Sequence, residues 1–182
     1  MPDISKELVI KAADGDMEAF EEIYKAACSF VYNVALRVTN NRDDADEVTQ
    51  DVFVKIFNNL KSFGLRSSFK TWAYRIAVNT AINHCKKRAG YERGKVEYDP
   101  AVHDVQVQNE ASQGFDKEES EKKIDLLLKM LDPDQRACIV LREIEGLDYR
   151  SIADTLNINI NTVRSRLKRA REKLLAQEMR RR

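Results

Sequence analysis

Glycine and proline are scarce in this 182-residue sequence, with six and three residues respectively. Long stretches without either residue offer few turn signals, which favours helices over a many-stranded sheet. No apolar run reaches the roughly 18 residues that a membrane-spanning helix needs. The first residues, MPDISKELVIKAADGD, contain neither a basic nor an apolar segment, so we expect no signal peptide. These absences together predict an all-α, cytoplasmic protein.

Cysteine and histidine are also scarce. The cysteines Cys28, Cys85 and Cys138 are far apart and form no CxxC pair, so we expect them to be reduced and not disulfide-bonded. His84 and His103 have no carboxylate at a fixed spacing, which argues against a metal site. Because a glycine-rich phosphate loop, a nucleophile elbow and an HExxH motif are absent as well, we expect no enzyme, no metal and no cofactor.

The net charge of +1 conceals a strong alternation of charge along the chain. Residues 1–51 carry −7, residues 52–93 +8, residues 94–118 −4, residues 119–160 −3 and residues 161–182 +7. Two separate basic stretches on helical sequence indicate two contacts with a polyanion, and nucleic acid is the first candidate. The alternative is two solvated helix faces, which charge runs often are.

Apolar spacing predicts four helices in the first half of the chain. Ser5, Asp16 and Asp43 can cap the first three, and Ser67 or Ser68 can open a fourth that runs from residue 69 to about residue 88. The inward positions of the second helix are Phe20, Ile23, Tyr24, Ala27, Val31, Val34 and Val38. Those of the third helix are Val48, Val52, Ile56 and Leu60.

Helical periodicity fails from residue 89 to about residue 118. An irregular segment of about 30 residues is too long for a connection within a compact domain. The sequence therefore predicts two small helical domains, residues 1–93 and 119–182, joined by a flexible linker at residues 94–118. The second domain should hold three or four helices, with apolar positions at Ile124, Leu127, Leu128, Leu131, Ile139, Val140 and Leu141.

The strongest local motif is the segment GLDYRSIADTLNININTVRSRLKRAREKL, residues 146–174. A helix-turn-helix needs a small residue in its first helix, a left-handed turn residue four positions later and a branched apolar residue six further on. Ala153, Asn157 and Val163 have this spacing. Asn161 or Thr162 can cap the second helix, which has Val163, Leu167, Ala170 and Leu174 on its inner side. Its outer side carries Arg164, Arg166, Lys168, Arg169, Arg171 and Lys173, cations suited to phosphates and to guanine edges in the major groove.

A second surface is predicted on the fourth helix. Trp72, Arg75, Asn79, Asn83 and Lys86 share about one sixth of its circumference. An aromatic ring, two amides and two cations in one stripe could stack on a base, hydrogen-bond others and neutralise phosphate. A lone tryptophan is more often a core residue, so the amides and cations carry this hypothesis.

The closing segment resembles the promoter-reading C-terminal domain of extracytoplasmic-function (ECF) sigma factors, in which a similar TVRSRL core opens the recognition helix. LuxR-type response regulators share much of that half. Two further segments, RDDADEVTQDVFVKIFNNLKSF and SSFKTWAYRIAVNTAINHCKKR, are similar in order and spacing to region 2 of the same sigma-70 family. The resemblance implies a sigma factor with core RNA polymerase, promoter DNA and an anti-sigma factor as partners, and no direct insertion into a membrane.

The resemblance also implies roles for particular residues. The expected minus-35 contacts are Asn161, Thr162, Arg164, Ser165, Arg166, Lys168 and Arg169. The resemblance assigns the stripe on the fourth helix to the minus-10 element. It also implies that the loop before this helix, which contains Lys61, Ser62 and Phe63, receives a flipped base of that element. The expected polymerase-binding residues on the third helix are Asp46, Glu47, Gln50 and Asp51.

Two other classes of protein fit parts of this pattern. One is a stand-alone helix-turn-helix regulator that acts as a dimer, and the other is an adaptor that binds polymerase without reading DNA. A dimeric regulator should have a dimerisation helix and a sensor pocket, whereas this chain has two basic surfaces joined by an acidic linker. That arrangement favours the sigma factor.

Overall fold

The computed structural model describes residues 4–65, 67–95 and 123–180, and every regular element within these ranges is a helix, which confirms the all-α class. The helices are α1 (Lys6–Ala13), α2 (Met17–Thr39), α3 (Arg42–Asn59), α4 (Phe69–Lys95), α5 (residues 123–129), α6 (Pro133–Ile139), α7 (Tyr149–Leu156) and α8 (Ile160–Arg180). None of the helices in the described ranges is both long and apolar enough to cross a membrane. His103 and all but the first two residues of the predicted linker lie outside the described residues.

The caps of the first three helices explain where these helices begin. The side chains of Ser5 and Asp16 accept backbone hydrogen bonds at the starts of α1 and α2, as predicted. The cap of α3 is Asn41, whose Oδ1 accepts from the backbone N–H of Asp44 at 2.9 Å. The prediction that Asp43 caps this helix is therefore wrong, and Asp43 lies in the first turn, where its charge suits the helix dipole.

Helices α2, α3 and α4 pack against one another around the first part of the core. The predicted inward residues Ile23, Val48 and Ile56 are completely buried. Tyr24 is an exception, because it is 44% exposed and packs on the Phe53 ring in a tilted arrangement, with the ring centroids 4.6 Å apart. The helical period therefore located this core correctly except at the margin of α2.

Helix α4 is longer than predicted. The Ser68 hydroxyl accepts from the backbone N–H of Thr71 at 3.1 Å, which makes Ser68 the capping residue. The helix continues to Lys95, past residue 88, where the sequence predicted its end. Gly90 and Tyr91 in this extension are exposed, and a helical stretch that faces no core shows no apolar periodicity.

The second half of the chain forms its own layer of helices. Leu128 and Leu131 are buried as predicted, whereas Ile124 is 46% exposed. Pro133 begins α6 after the cap Asp132, and α6 continues into a π-helical turn, Val140–Ile144. Helix α8 then packs against both α6 and α7.

The two halves contact each other through α4, α6 and α7, and through α2 and α6. Arg136 is the principal polar link. Its Nη1 donates to the backbone oxygens of Val38 at 2.8 Å and Thr39 at 2.9 Å. These carbonyls end α2 and lack intrahelical partners, so a residue of the second half completes a helix of the first.

Candidate nucleic-acid interface

The turn between α7 and α8 has the geometry that the motif predicted. Asn157 is in the left-handed conformation, with φ 52° and ψ 50°, and its N–H donates to the Ala153 carbonyl. Ala153 and Val163 are buried where the two helices meet. A larger residue at either position would separate the helices, so this trio sets the angle at which α8 is presented.

The cap of α8 lies two or three residues before the predicted one. The Asn159 side chain accepts from the backbone N–H of Asn161 at 2.8 Å, and the helix begins at Ile160. The prediction that Asn161 or Thr162 caps the helix is therefore wrong. Both residues lie in the first turn, where Asn161 is exposed and Thr162 half-buried.

The outer face of α8 is strongly basic. Three residues of its predicted inner stripe, Val163, Leu167 and Ala170, are buried. The fourth, Leu174, is half-buried and packs against the core. The residues of the predicted minus-35 set that are exposed are Asn161, Arg164, Ser165, Lys168 and Arg169. This surface begins at the first turn of the helix, which is the part of a recognition helix that meets base edges.

Not all cations of α8 are equally available. Arg164 Nη1 lies 3.0 Å from Asn161 Oδ1, so the side chain is held on the outer surface. Arg166 is half-buried and pairs with Asp134 of α6 at 3.3 Å. Arg171 lies 2.7 Å from Glu143 Oε1, and this hydrogen bond raises the pKa of its guanidinium. Arg171 therefore helps to attach α8 to the π-helical turn.

The residues of the predicted stripe on α4 differ in their exposure to solvent. Arg75, Asn83 and Lys86 are exposed, whereas Trp72 and Asn79 are half-buried. Asn79 Nδ2 donates to the Thr155 carbonyl of α7 at 2.8 Å and to the Arg75 carbonyl at 2.9 Å. The stripe therefore runs along the boundary between the two halves.

The loop before α4 is held by aromatic packing. Phe63 is buried and stacks on Trp72 with ring centroids 4.5 Å apart, and Phe69 meets both rings nearly edge-on. Lys61 and Ser62 remain exposed. Gly64 and Leu65 turn the chain with φ values of +62° and +52°.

The outer face of α3 is acidic. Its four predicted polymerase-binding residues are all exposed: Asp46, Glu47, Gln50 and Asp51. The exposed side chains of Val54 and Phe57, at 59% and 48%, continue the same helix surface with apolar groups. The sequence analysis did not include Val54 and Phe57 in this surface. Their positions in the helical repeat of α3, away from the buried side, would have indicated that they are exposed.

A polar cluster between α3 and α4 was also missed. Asp44 pairs with Arg88, and its Oδ1 lies 3.3 Å from His84 Nε2. Lys55 Nζ reaches the buried hydroxyl of Thr80 at 3.0 Å. Among the described residues no group of three or more histidine, cysteine, aspartate or glutamate residues could hold a metal ion. The cluster therefore consists of ion pairs and hydrogen bonds that join the two helices.

The helix-turn-helix and the basic outer face of its second helix define a DNA-binding protein. Family models agree on both halves, because residues 23–90 match Sigma-70 region 2 and residues 121–174 match Sigma-70, region 4. The chain is 32% identical to the RNA polymerase sigma-H factor of Pseudomonas aeruginosa, over 92% of this chain and 90% of that protein. It is 31% identical to the ECF RNA polymerase sigma factor SigW of Bacillus subtilis, over 94% and 95%.

Solved structures share the fold. The structure of CnrH in complex with the cytosolic domain of CnrY matches with a TM-score of 0.62 at 24% identity, over 96% of this chain and 97% of that one. The sigma factor RpoE in complex with the anti-sigma factor NepR, from Bartonella quintana, matches with a TM-score of 0.62 at 24% identity, over 85% and 93%. This chain belongs to the ECF sigma factors of the sigma-70 family, and its function is transcription initiation by RNA polymerase.

Proposed function

We propose that the two halves of the chain divide promoter recognition between them. Residues 1–93 bind core RNA polymerase and open the minus-10 element, residues 119–182 read the minus-35 element, and residues 94–118 link the two. The matches to region 2 and region 4 support this division. In this proposal the chain acts in the cytoplasm as a specificity subunit and performs no catalysis itself.

The observation that carries the minus-35 role is the exposed basic start of α8, presented by the Asn157 turn. Arg164, Lys168 and Arg169 face away from the core and are the best candidates for contacts with bases and phosphates. Arginine can pair with a guanine edge through two hydrogen bonds, whereas lysine acts mainly as a point charge. We therefore assign base reading first to Arg164.

The minus-10 role rests on the stripe of α4 and on the loop before it. Arg75, Asn83 and Lys86 supply exposed cations and an amide for a separated strand. Phe63 and Trp72 stack on each other, so each ring covers one face of the other. We therefore assign both rings the role of positioning the loop before α4. Lys61 and Ser62 then border the site for a flipped base, which needs a pocket to replace its lost stacking.

The polymerase-binding role rests on the two-sided character of α3. Val48, Val52 and Ile56 are buried on one side, while the acidic residues and Gln50 are exposed on the other. An acidic surface bordered by apolar side chains fits a protein partner with basic residues around an apolar patch. Charge reversal at Asp51 should therefore weaken polymerase binding without unfolding the helix.

An anti-sigma factor is a further proposed partner. The similar solved structures are complexes, one with the anti-sigma factor NepR and one with the cytosolic domain of CnrY. This chain also exposes large apolar side chains on α2 and α3, among them Met17, Val54 and Phe57. Such exposed apolar groups are typical of surfaces that bind proteins.

The experiment that tests the proposal is run-off transcription with purified core RNA polymerase and a promoter library. We expect core polymerase to start at a defined set of promoters only when this chain is added. The chain alone should bind duplex promoters poorly. Tight, sequence-specific binding by the free chain as a symmetric dimer, with no change in polymerase start sites, would contradict the proposal and favour a stand-alone regulator.

A further inference from the structure

Asn161 and Arg164 form a hydrogen-bonded pair at the start of α8. Arg164 Nη1 donates to Asn161 Oδ1 at 3.0 Å, and both side chains are exposed. Side chains three positions apart on a helix are neighbours on its surface, so the two residues meet a ligand of α8 as one unit. The acceptor atom of Asn161 is therefore occupied by a residue of the same helix.

The backbone donors at the start of α8 also have partners within the chain. Asn159 Oδ1 accepts from the N–H of Asn161 at 2.8 Å. The Asn159 carbonyl accepts from the N–H groups of Thr162 at 2.9 Å and Val163 at 3.2 Å. Because these three N–H groups already have acceptors, contacts of this turn with DNA fall to its side chains.

Arg164 is held by a neutral side chain, whereas Arg166 and Arg171 are held by carboxylates. A carboxylate that holds a cation also cancels its charge. The amide of Asn161 orders the guanidinium and leaves its full positive charge available to DNA. An arginine side chain has much rotamer freedom to lose on binding, so ordering it in advance favours the contact with a base.

The same hydrogen bond decides which bases Asn161 can read. An asparagine recognises adenine through two hydrogen bonds, accepting from N6 with Oδ1 and donating to N7 with Nδ2. Here Oδ1 faces the Arg164 guanidinium, so an adenine N6 group placed there would bring one donor against another. The groups that remain are the Nδ2 amino group and the other N–H groups of the guanidinium. These donors suit acceptors such as guanine O6 and N7.

We propose that Asn161 is a specificity-determining residue of the minus-35 surface: Arg164 occupies its amide oxygen, so the pair positions the arginine and excludes adenine from the base pair that faces Asn161. The inference deepens the proposed function and rests on it, because it takes α8 as the reader of the minus-35 element. Removing the arginine releases the amide oxygen. Arg164→Ala should therefore create a preference for adenine that the wild-type chain lacks, besides weakening the contact made by Arg164 itself.

The test compares Arg164→Ala, Asn161→Ala and the double variant, each assembled with core RNA polymerase. Promoters with a randomised minus-35 region are selected by binding, and sequencing of the bound fraction gives the preference at every base pair. We expect Arg164→Ala to raise the preference for adenine at one minus-35 base pair by about fivefold or more over wild type, as a two-bond contact can provide. The double variant should lose this preference, because the amide that supplies it is gone.

Asn161→Ala tests the positioning of Arg164 separately. We expect this variant to reduce the preference at the base pair that Arg164 contacts by about threefold to tenfold, since the guanidinium must then be ordered on binding. Lys168→Ala is the matched control. Lys168 lies on the same exposed surface and pairs with Glu172 at 3.9 Å, so its loss should weaken binding to all sequences alike and create no preference for adenine.

The inference requires both effects. It is overturned if Arg164→Ala gains no preference for adenine, if the gain persists in the double variant, or if Asn161→Ala keeps the wild-type preference. Failure of the proposed function gives a different result. A wild-type holoenzyme without any base preference in the minus-35 region contradicts the proposed function, whereas a wild-type preference without the adenine gain in Arg164→Ala refutes this inference alone.

Discussion

Asn79 of α4 donates its amide to the carbonyl of Thr155 in the last turn of α7, at 2.8 Å. The contact joins a residue proposed for promoter opening to the helix-turn-helix of the other half. Asn83, one turn further along α4, is exposed. Comparing substitutions at Asn79 and Asn83 therefore distinguishes a role in DNA binding from a role in the contact between the two halves.

Replacing Asn79 and Asn83 by alanine should lower open-complex formation on duplex promoters while polymerase binding is kept. Asn83→Ala should leave the free energy of unfolding unchanged. Asn79→Ala should lower it by about 0.5–1.5 kcal/mol, mainly through loss of the hydrogen bond to the Thr155 carbonyl. Permanganate footprinting of the holoenzyme measures opening, and a pre-melted template should restore only the melting part of the defect. A double variant that melts several degrees earlier yet transcribes normally at low temperature would show that both amides are structural.

Arg164→Ala should have a larger effect on minus-35 reading than Arg166→Ala. Arg164 is exposed at the start of α8, whereas Arg166 is half-buried against Asp134. Loss of a base-contacting arginine should cost about 1–3 kcal/mol and relax the preference at one base pair, while loss of a phosphate contact should weaken all sequences alike. Holoenzyme binding to promoters mutated base by base distinguishes the two. If neither variant changes affinity or preference, α8 does not read the promoter.

Arg136→Met should be strongly destabilising. The guanidinium donates to the carbonyls of Leu128 and Leu131 as well as to the last two of α2, and burial lowers its pKa. Methionine fills similar space but leaves these carbonyls without their donor, so we expect a loss of about 2–4 kcal/mol. Urea denaturation measures the change, and Lys129→Met, which removes a charge from an exposed position, serves as the control. Equal stability of the two variants would contradict the structural role of Arg136.

Glycine and alanine should have opposite effects at Asn157. The left-handed φ of 52° suits glycine better than any residue with a Cβ atom, so Asn157→Gly should stabilise by about 0.5 kcal/mol and Asn157→Ala should destabilise by about 1 kcal/mol. At the exposed helical position Asn33 of α2 the order should reverse, because glycine costs about 1 kcal/mol relative to alanine within a helix. Thermal denaturation of the four variants checks the sign at each position.

Stability should decline above pH 9 partly through Cys138. The thiol is completely buried, and burial raises its pKa from 9.0 to about 11. The unfolded chain therefore releases this proton at lower pH than the folded chain does. The resulting stability is present below pH 9 and is lost as pH rises toward 11, by about 2–3 kcal/mol at most. Urea denaturation across this range should show a shallower decline for Cys138→Ala than for Cys28→Ala, and parallel curves would count against the assignment.

Features that depend on neighbouring residues were predictable from the sequence alone. Capping by Ser5 and Asp16, the inward stripe of α8 and the spacing of Ala153, Asn157 and Val163 all follow from helical geometry over a few turns. Errors of two or three residues arose where several asparagines and aspartates adjoin a helix start, since each can accept the same backbone hydrogen bonds. At both α3 and α8 the true cap is an asparagine beside the expected region.

Only the tertiary structure decided which polar residues meet across the chain. Asp134 lies between Lys86 and Arg166, and Arg136 completes the end of α2, although nothing in the sequence spacing links these positions. The helical repeat of apolar residues shows which side of a helix faces the core. It does not show which other helix packs against the polar residues that border that side. That choice depends on how the two halves pack, because desolvated donors and acceptors must find partners wherever packing brings them together.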